Sequence, residues 1–153
     1  MPLDGQSLSQ DRRNNMHRQV NRRSPDRREQ EFIPFPNDVK EKIIRDGDGT
    51  LINSWGEKLG KQYKDISTSR IRKFFGGIEL MIEFDINSLQ LLRPQLAYVV
   101  GKESNKKVKP VLKDFRDQVD SCIGLVKDQQ EFENLKKFLE SIIAYHRYYG
   151  GRE

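Results

Sequence analysis

From residue 71 to residue 143 the large apolar side chains recur at intervals of three and four, and nowhere is an alternation of apolar and polar residues sustained. That rhythm belongs to the α-helix, in which a face returns about every 3.6 residues. A half-buried sheet needs a period of about two and is not supported. Ile71, Phe74, Phe75, Ile78 and Ile82 predict a helix over 67–84, with Ser67, Thr68 and Ser69 offering oxygens to its free N–H groups. After a polar break at 85–88, Leu89, Leu92, Leu96 and Val99 continue the rhythm to Gly101, and Pro94 fits if it lies in a first turn. A basic polar loop follows at 104–109. Pro110 then opens a helix whose residues Leu112, Phe115, Val119, Cys122, Ile123 and Val126 keep one face. Asp128 and Glu131 have the spacing of a capping box, and Phe132, Leu135, Phe138, Leu139, Ile142 and Ile143 form the last stripe, which Gly150 and Gly151 stop. Two shorter helices are expected, one over 38–45, closed by Gly47 and Gly49, and one over 53–62, centred on Trp55 and Leu59. The chain therefore reads as all-α, a compact bundle of about five helices with no sheet.

The start of the chain is different. Its first 31 residues carry seven Arg, no Lys, five acids and almost nothing large and apolar. Such a segment buries too little surface to offset the entropy of ordering, so a flexible, Arg-rich leader is expected. Phe32, Pro34, Phe35 and Pro36 then read as an extended strap. The division expected is a leader and strap over 1–36 and a helical domain over 37–153. The formal charge of +5 is spread over both parts, so any anion site must be a local patch.

Several chemistries find no support. His17 and His146 have no second His or Cys at ligand spacing, which argues against zinc. No phosphate-cradling Gly-rich loop, nucleophile motif or coherent acid pair is present, so neither an enzyme, a cofactor nor a small-molecule substrate is indicated. Asp46-Gly47-Asp48-Gly49-Thr50-Leu51 imitates the middle of a calcium loop, but with Gly49 as its sixth residue the first ligand is Ile44 and the last is Trp55. It reads as a Gly-rich turn. The lone Cys122, among Val119, Ile123 and Val126, reads as a buried, inert thiol. Without a secretory signal or a long apolar run, the chain is expected to be cytoplasmic, with no membrane partner.

What remains is charge on the helix 67–84. Helical geometry places Arg70 and Lys73 with Gly77 on one flank of the apolar stripe and Arg72 with Gly76 on the other. Bare backbone at the two glycines would let a phosphodiester strand or a neighbouring subunit come close. On pattern alone, a solvated cationic face with a glycine kink is the simpler reading.

The order of three blocks changes that balance. They are Thr68-Ser69-Arg70-Ile71-Arg72-Lys73-Phe74-Phe75, then Leu91-Leu92-Arg93-Pro94-Gln95-Leu96-Ala97-Tyr98 followed by Gly101-Lys102, and Phe132 and Leu135 leading to Ala144-Tyr145-His146-Arg147-Tyr148-Tyr149-Gly150-Gly151. In motif order and spacing the chain resembles the small subunit of type III-A (Csm) CRISPR effector complexes. The resemblance implies a helical, non-catalytic subunit, present in more than one copy, that stacks beside the guide-bound backbone and lines the path of target RNA. Its partners would be target RNA, the guide ribonucleoprotein and other Csm subunits, further copies of itself included. By the same resemblance Arg70, Arg72 and Lys73 are the first RNA-contact candidates, followed by Arg93, Lys102 and Arg147. Lys102 stands where the family more often has Arg, which forfeits the bidentate fork. Tyr98, Tyr145, Tyr148 and Tyr149 read as packing residues rather than base-stacking ones, and Leu80 falls on the polar side of its helix. The competing readings are a helical protein–protein adaptor and RNA binding by the leader alone.

Overall fold

The structure, a computed structural model, describes residues 31–151. The leader expected before them lies outside the described residues. Six α-helices and one π-helical segment are found, with no strand among the described residues, so the all-α reading holds. In chain order they are α1 (Asn37–Glu41), the π segment (Lys42–Asp46), α2 (Gly49–Gln62), α3 (Thr68–Leu80), α4 (Ile86–Gly101), α5 (Val108–Ile123) and α6 (Gln129–Tyr148).

Local chemistry sets the ends of these helices. Pro36 precedes α1, and Gly47 closes the π segment in the left-handed region at φ 60°. Asp48 then caps α2, its carboxylate accepting from Leu51 N–H at 3.1 Å. The acid-glycine stretch is thus a corner between two helices. Gly49 starts α2 rather than closing the helix before it, and α2 begins four residues earlier than the 53–62 expected. Ser67 caps α3 as expected. Asp85 caps α4, accepting from Asn87 N–H at 3.2 Å and Ser88 Oγ at 2.6 Å, so the polar break is itself the helix start. Pro94 consequently lies in mid-helix and not in a first turn. It is exposed, as are its neighbours Leu91, Gln95 and Ala97, and it offers no N–H to the Gln90 carbonyl four residues before it. The capping box at α6 closes with Asp128 accepting from Glu131 N–H at 2.8 Å and Glu131 accepting from Lys127 N–H at 2.8 Å. At the far end, Gly150 N–H donates to Arg147 C=O and Gly151 N–H to His146 C=O, the pattern that commonly ends a helix at glycine.

Two expectations on 67–84 need correction. The helix stops at Leu80, because Met81 is extended, and Ile82 does not join the stripe: it is 86% exposed. Lys136 Nζ donates to Met81 C=O at 3.0 Å and Phe84 N–H donates to Gln129 Oε1 at 2.6 Å, which fixes this connection in its extended form. Gly77 is also not open to a ligand, since a Cβ there would come within 2.6 Å of Leu92 on α4. Gly76 has nothing within 4 Å.

The helices pack around two aromatic clusters. Phe115 on α5 meets Tyr63, Phe74 and Phe75 edge-on, and Phe35 from the strap stacks on Trp55 at 4.8 Å and tilts against Phe138. Helix α2 runs parallel to α6, because the contacts Ile52–Ser141, Asn53–Tyr145 and Glu57–Tyr149 rise in step along both. Gly56 and Gly60 permit that approach: a Cβ at Gly60 would stand 2.8 Å from His146 N and 2.9 Å from the Ile142 carbonyl. Helix α3 runs antiparallel to both α6 and α4, as the pairs Thr68–Arg147, Met81–Lys136, Arg70–Glu103 and Gly77–Leu92 require. No helix among the described residues is long and apolar enough to cross a membrane.

Two buried polar side chains reach backbone carbonyls far along the chain, while Arg116 Nε and His146 Nδ1 have no hydrogen-bond partner among the described residues. Asn134 Nδ2 donates to the Ile44 carbonyl of the π segment at 2.8 Å, and His146 Nε2 lies 2.7 Å from the Ile66 carbonyl, so it carries the proton. Cys122 is buried as expected, and burial pushes its thiol up to about 12. Burial also pushes the Tyr63 phenol far above its ordinary value of 10.0, reinforced by the hydrogen bond it donates to Asp114.

Two expectations follow for stability. Gly60→Ala forces a methyl into backbone and should cost about 1–3 kcal/mol in urea unfolding, whereas Gly76→Ala, with open space, should gain about 0.5–1 kcal/mol. The second concerns alkali. Both raised groups fold in their neutral form, so their contribution is complete below the unfolded values of 9.0 for Cys122 and 10.0 for Tyr63 and is lost as pH rises above them. Each should remove up to about 1.4 kcal/mol per pH unit there. Circular dichroism across about pH 8 to 11 should show a falling unfolding midpoint, with a smaller fall in Tyr63→Phe.

Candidate nucleic-acid interface

Three of the six cations meet in one cleft. It lies between the first turns of α3 and the end of α4, has a volume of about 270 Å³, and is lined by Ser69, Arg70, Lys73, Val99, Lys102, Glu103 and Leu112. Leu112 of α5 belongs to its apolar lining, Ser69, Arg70 and Lys73 come from α3, Val99 from α4, and Lys102 and Glu103 from the two positions that follow α4. The free N–H groups at the start of α3 add positive potential, and the first turn of that helix carries no acid to cancel it.

Arg70 is the most constrained of the three cations in the cleft. Its Nε and Nη2 donate to both carboxylate oxygens of Glu103, at 3.2 and 2.8 Å, and its Nη1 donates to Ser67 Oγ at 3.3 Å. Lys73 is exposed, with no ion pair or hydrogen bond among the described residues. Lys102 is exposed too, and its Nζ stands 5.6 Å from the ring centre of Tyr98. Lys106 and Lys107, exposed in the loop that follows, extend the positive surface.

The other three candidates lie outside the cleft lining. Arg72 is exposed on the other flank of α3, beside the open Gly76. Arg147 of α6 donates to Thr68 Oγ1 at 3.3 Å, which brings it to the residue adjoining Ser69. Arg93 precedes Lys102 by nine positions, so it sits about 13 Å along α4 and on the opposite side. There its Nε and Nη2 donate to Asp120 of α5 at 2.7 and 2.9 Å, which holds the Asp120 carboxyl below its usual range and raises Arg93.

Sequence reasoning missed Glu103, because it considered only cations, and a pair 33 residues apart, between a helix and the loop after another, has no local signature. It also treated the four tyrosines alike. Tyr145 and Tyr149 are half-buried and donate to Asn53 at 2.6 Å and Glu57 at 3.1 Å, whereas Tyr98 and Tyr148 are largely exposed. Leu80 is exposed, as its position implied.

Comparison with known proteins agrees with the earlier resemblance. The family model described as Csm2 type III-A matches residues 46–152, which takes in α2 to α6 and all six cations. A relative described as CRISPR system Cms protein Csm2, from Streptococcus thermophilus, is 28% identical over 105 residues, covering 63% of this chain and 84% of that protein. No solved structure matches the chain. With more than half of its length matched by the family, and a helical fold throughout the match, the chain belongs to the Csm2 type III-A family, the small structural subunit of the multi-subunit type III-A CRISPR complex.

Proposed function

We propose that this chain is a non-catalytic, RNA-binding scaffold of the complex. Its helical domain, 37–153, stacks beside the guide-bound backbone with other Csm subunits and further copies of itself, and positions target RNA in defence against viruses and plasmids. The observation that supports this is the cleft of Arg70, Lys73 and Lys102 on stiff helices. Cations so placed neutralise phosphates without reading base edges, which suits a subunit that serves any guide sequence. Arg72 and Arg147 extend the contact on either side of the start of α3. Arg93, in its pair with Asp120, acts mainly as a strut between α4 and α5.

A second reading, a helical adaptor without RNA contact, is favoured by one observation: Leu80 and Ile82 are 84% and 86% exposed at the other end of α3. Salt separates the two. Binding of single-stranded RNA by the scaffold should weaken with salt at about −0.7 in the log–log slope for each phosphate neutralised, whereas a flat profile supports the adaptor. Changing Arg70, Arg72 and Lys73 together to Ala should weaken binding similarly for RNAs of unrelated sequence with helicity intact. Removing the residues before Phe32 should leave most of the binding, and its complete loss would assign the contact to the leader.

A further inference from the structure

The cleft that gathers the cations also holds one acid. Glu103 presents both carboxylate oxygens to Arg70 in a forked pair, and its side chain is 13% exposed against 35% for the arginine. The pair occupies the two N–H groups that a phosphodiester would take in the same forked geometry. Ser67 accepts from the third guanidinium nitrogen, so three of the five N–H groups of the one arginine of the cleft are directed at protein partners. Lys73 and Lys102, by contrast, have no ion pair among the described residues.

Resting on the RNA-binding reading above, we propose that Glu103 limits the affinity of the cleft: a phosphate takes the Nε–Nη2 fork of Arg70 only by displacing the Glu103 carboxylate. Two costs attach to that exchange. A strong charge-assisted pair must open, and the released carboxylate then stands beside the incoming phosphate as a like charge. Glu103 also has to recruit a counter-cation once exposed, which cancels part of the ion release that drives RNA binding. The free subunit is thereby restrained from gripping nucleic acid on which it has not been positioned.

A purely structural role makes the opposite prediction. If the Arg70–Glu103 pair served only to tie α3 to α4, losing the carboxylate would loosen the cleft and weaken binding. Fluorescence anisotropy of the full chain with a labelled oligouridylate, over a series of salt concentrations, reads the difference. Glu103→Gln should bind about fivefold tighter than the unaltered chain at low salt. Its log–log salt slope should be steeper by about 0.7. Equal or weaker binding by a folded Glu103→Gln protein overturns the proposal.

The unaltered chain provides a second measurement, should Glu103→Gln fail to fold. The Arg70 Nε–H resonance should move when RNA saturates the cleft, because its acceptor changes from carboxylate to phosphate, and an unmoved resonance means that the pair stays shut and the proposal is wrong. Failure here is distinct from failure of the RNA-binding reading. If the Arg70, Arg72 and Lys73 triple variant binds RNA as the unaltered chain does, both are wrong. If the triple variant loses binding and Glu103→Gln does not gain it, only the role of Glu103 falls.

Discussion

Phe115 is the contact on which the site depends. Tyr63, Phe74 and Phe75 approach its ring edge-on at 4.9, 5.2 and 5.7 Å between centroids, from the end of α2 and from successive positions of α3. Contacts of this geometry contribute about 0.5–1.5 kcal/mol each beyond the area they bury. They fix α3 on α5 in both position and rotation. Leu112 lies three residues before Phe115, close to one turn, and there it lines the cationic cleft. The spacing between the start of α3 and the end of α4 is therefore a consequence of core packing, and the cations inherit that order.

Much of this was legible in the sequence. The stripes at three and four residues gave every long helix, since burial is what the apolar pattern encodes. Helix ends were read less well, because a cap and a break use the same residues: Asp85 and Asp48 look like interruptions and act as helix starts. Pro94 was misplaced by a rule that assumes no exposed helix face can spare a hydrogen bond. Ile82 was assigned to the core on spacing alone, yet spacing holds only while the helix continues, and beyond Leu80 the α6 side chains Lys136 and Gln129 bond the backbone of Met81 and Phe84 in an extended connection. For the site, the cations themselves could be found from residue type and motif order. Which of them share a cleft could not, because Arg70 meets Glu103 and Arg93 meets Asp120 through contacts between segments 33 and 27 residues apart.

The two arginine pairs show why a count of positive residues is a poor guide to an anion site. Arg70 and Arg93 both hold forked carboxylates, but one pair lines the cleft and the other joins α4 to α5 away from it. Lysine contributes differently. Lys73 and Lys102 are flexible point charges whose N–H groups are not committed to a carboxylate, so they can meet phosphates over a range of positions. A cleft with one restrained fork and two mobile charges suits a strand whose backbone is regular and whose bases vary.

Helix α3 is polar in a further sense. Its first turns bear Arg70, Arg72 and Lys73, and its end bears Glu79 and Leu80, about 15 Å away along the axis. Exposure at that end is built in rather than frayed: Lys136 and Gln129 hold the connection at Met81 and Phe84, Phe84 turns inward to within 6.0 Å of Phe132, and Ile82 is left outside. Fixed apolar surface of this kind suits a protein neighbour, and on the function proposed above the cationic start would meet a phosphate strand. The RNA-binding and adaptor readings thus draw on different ends of one helix, and a subunit of a multi-component complex has use for both.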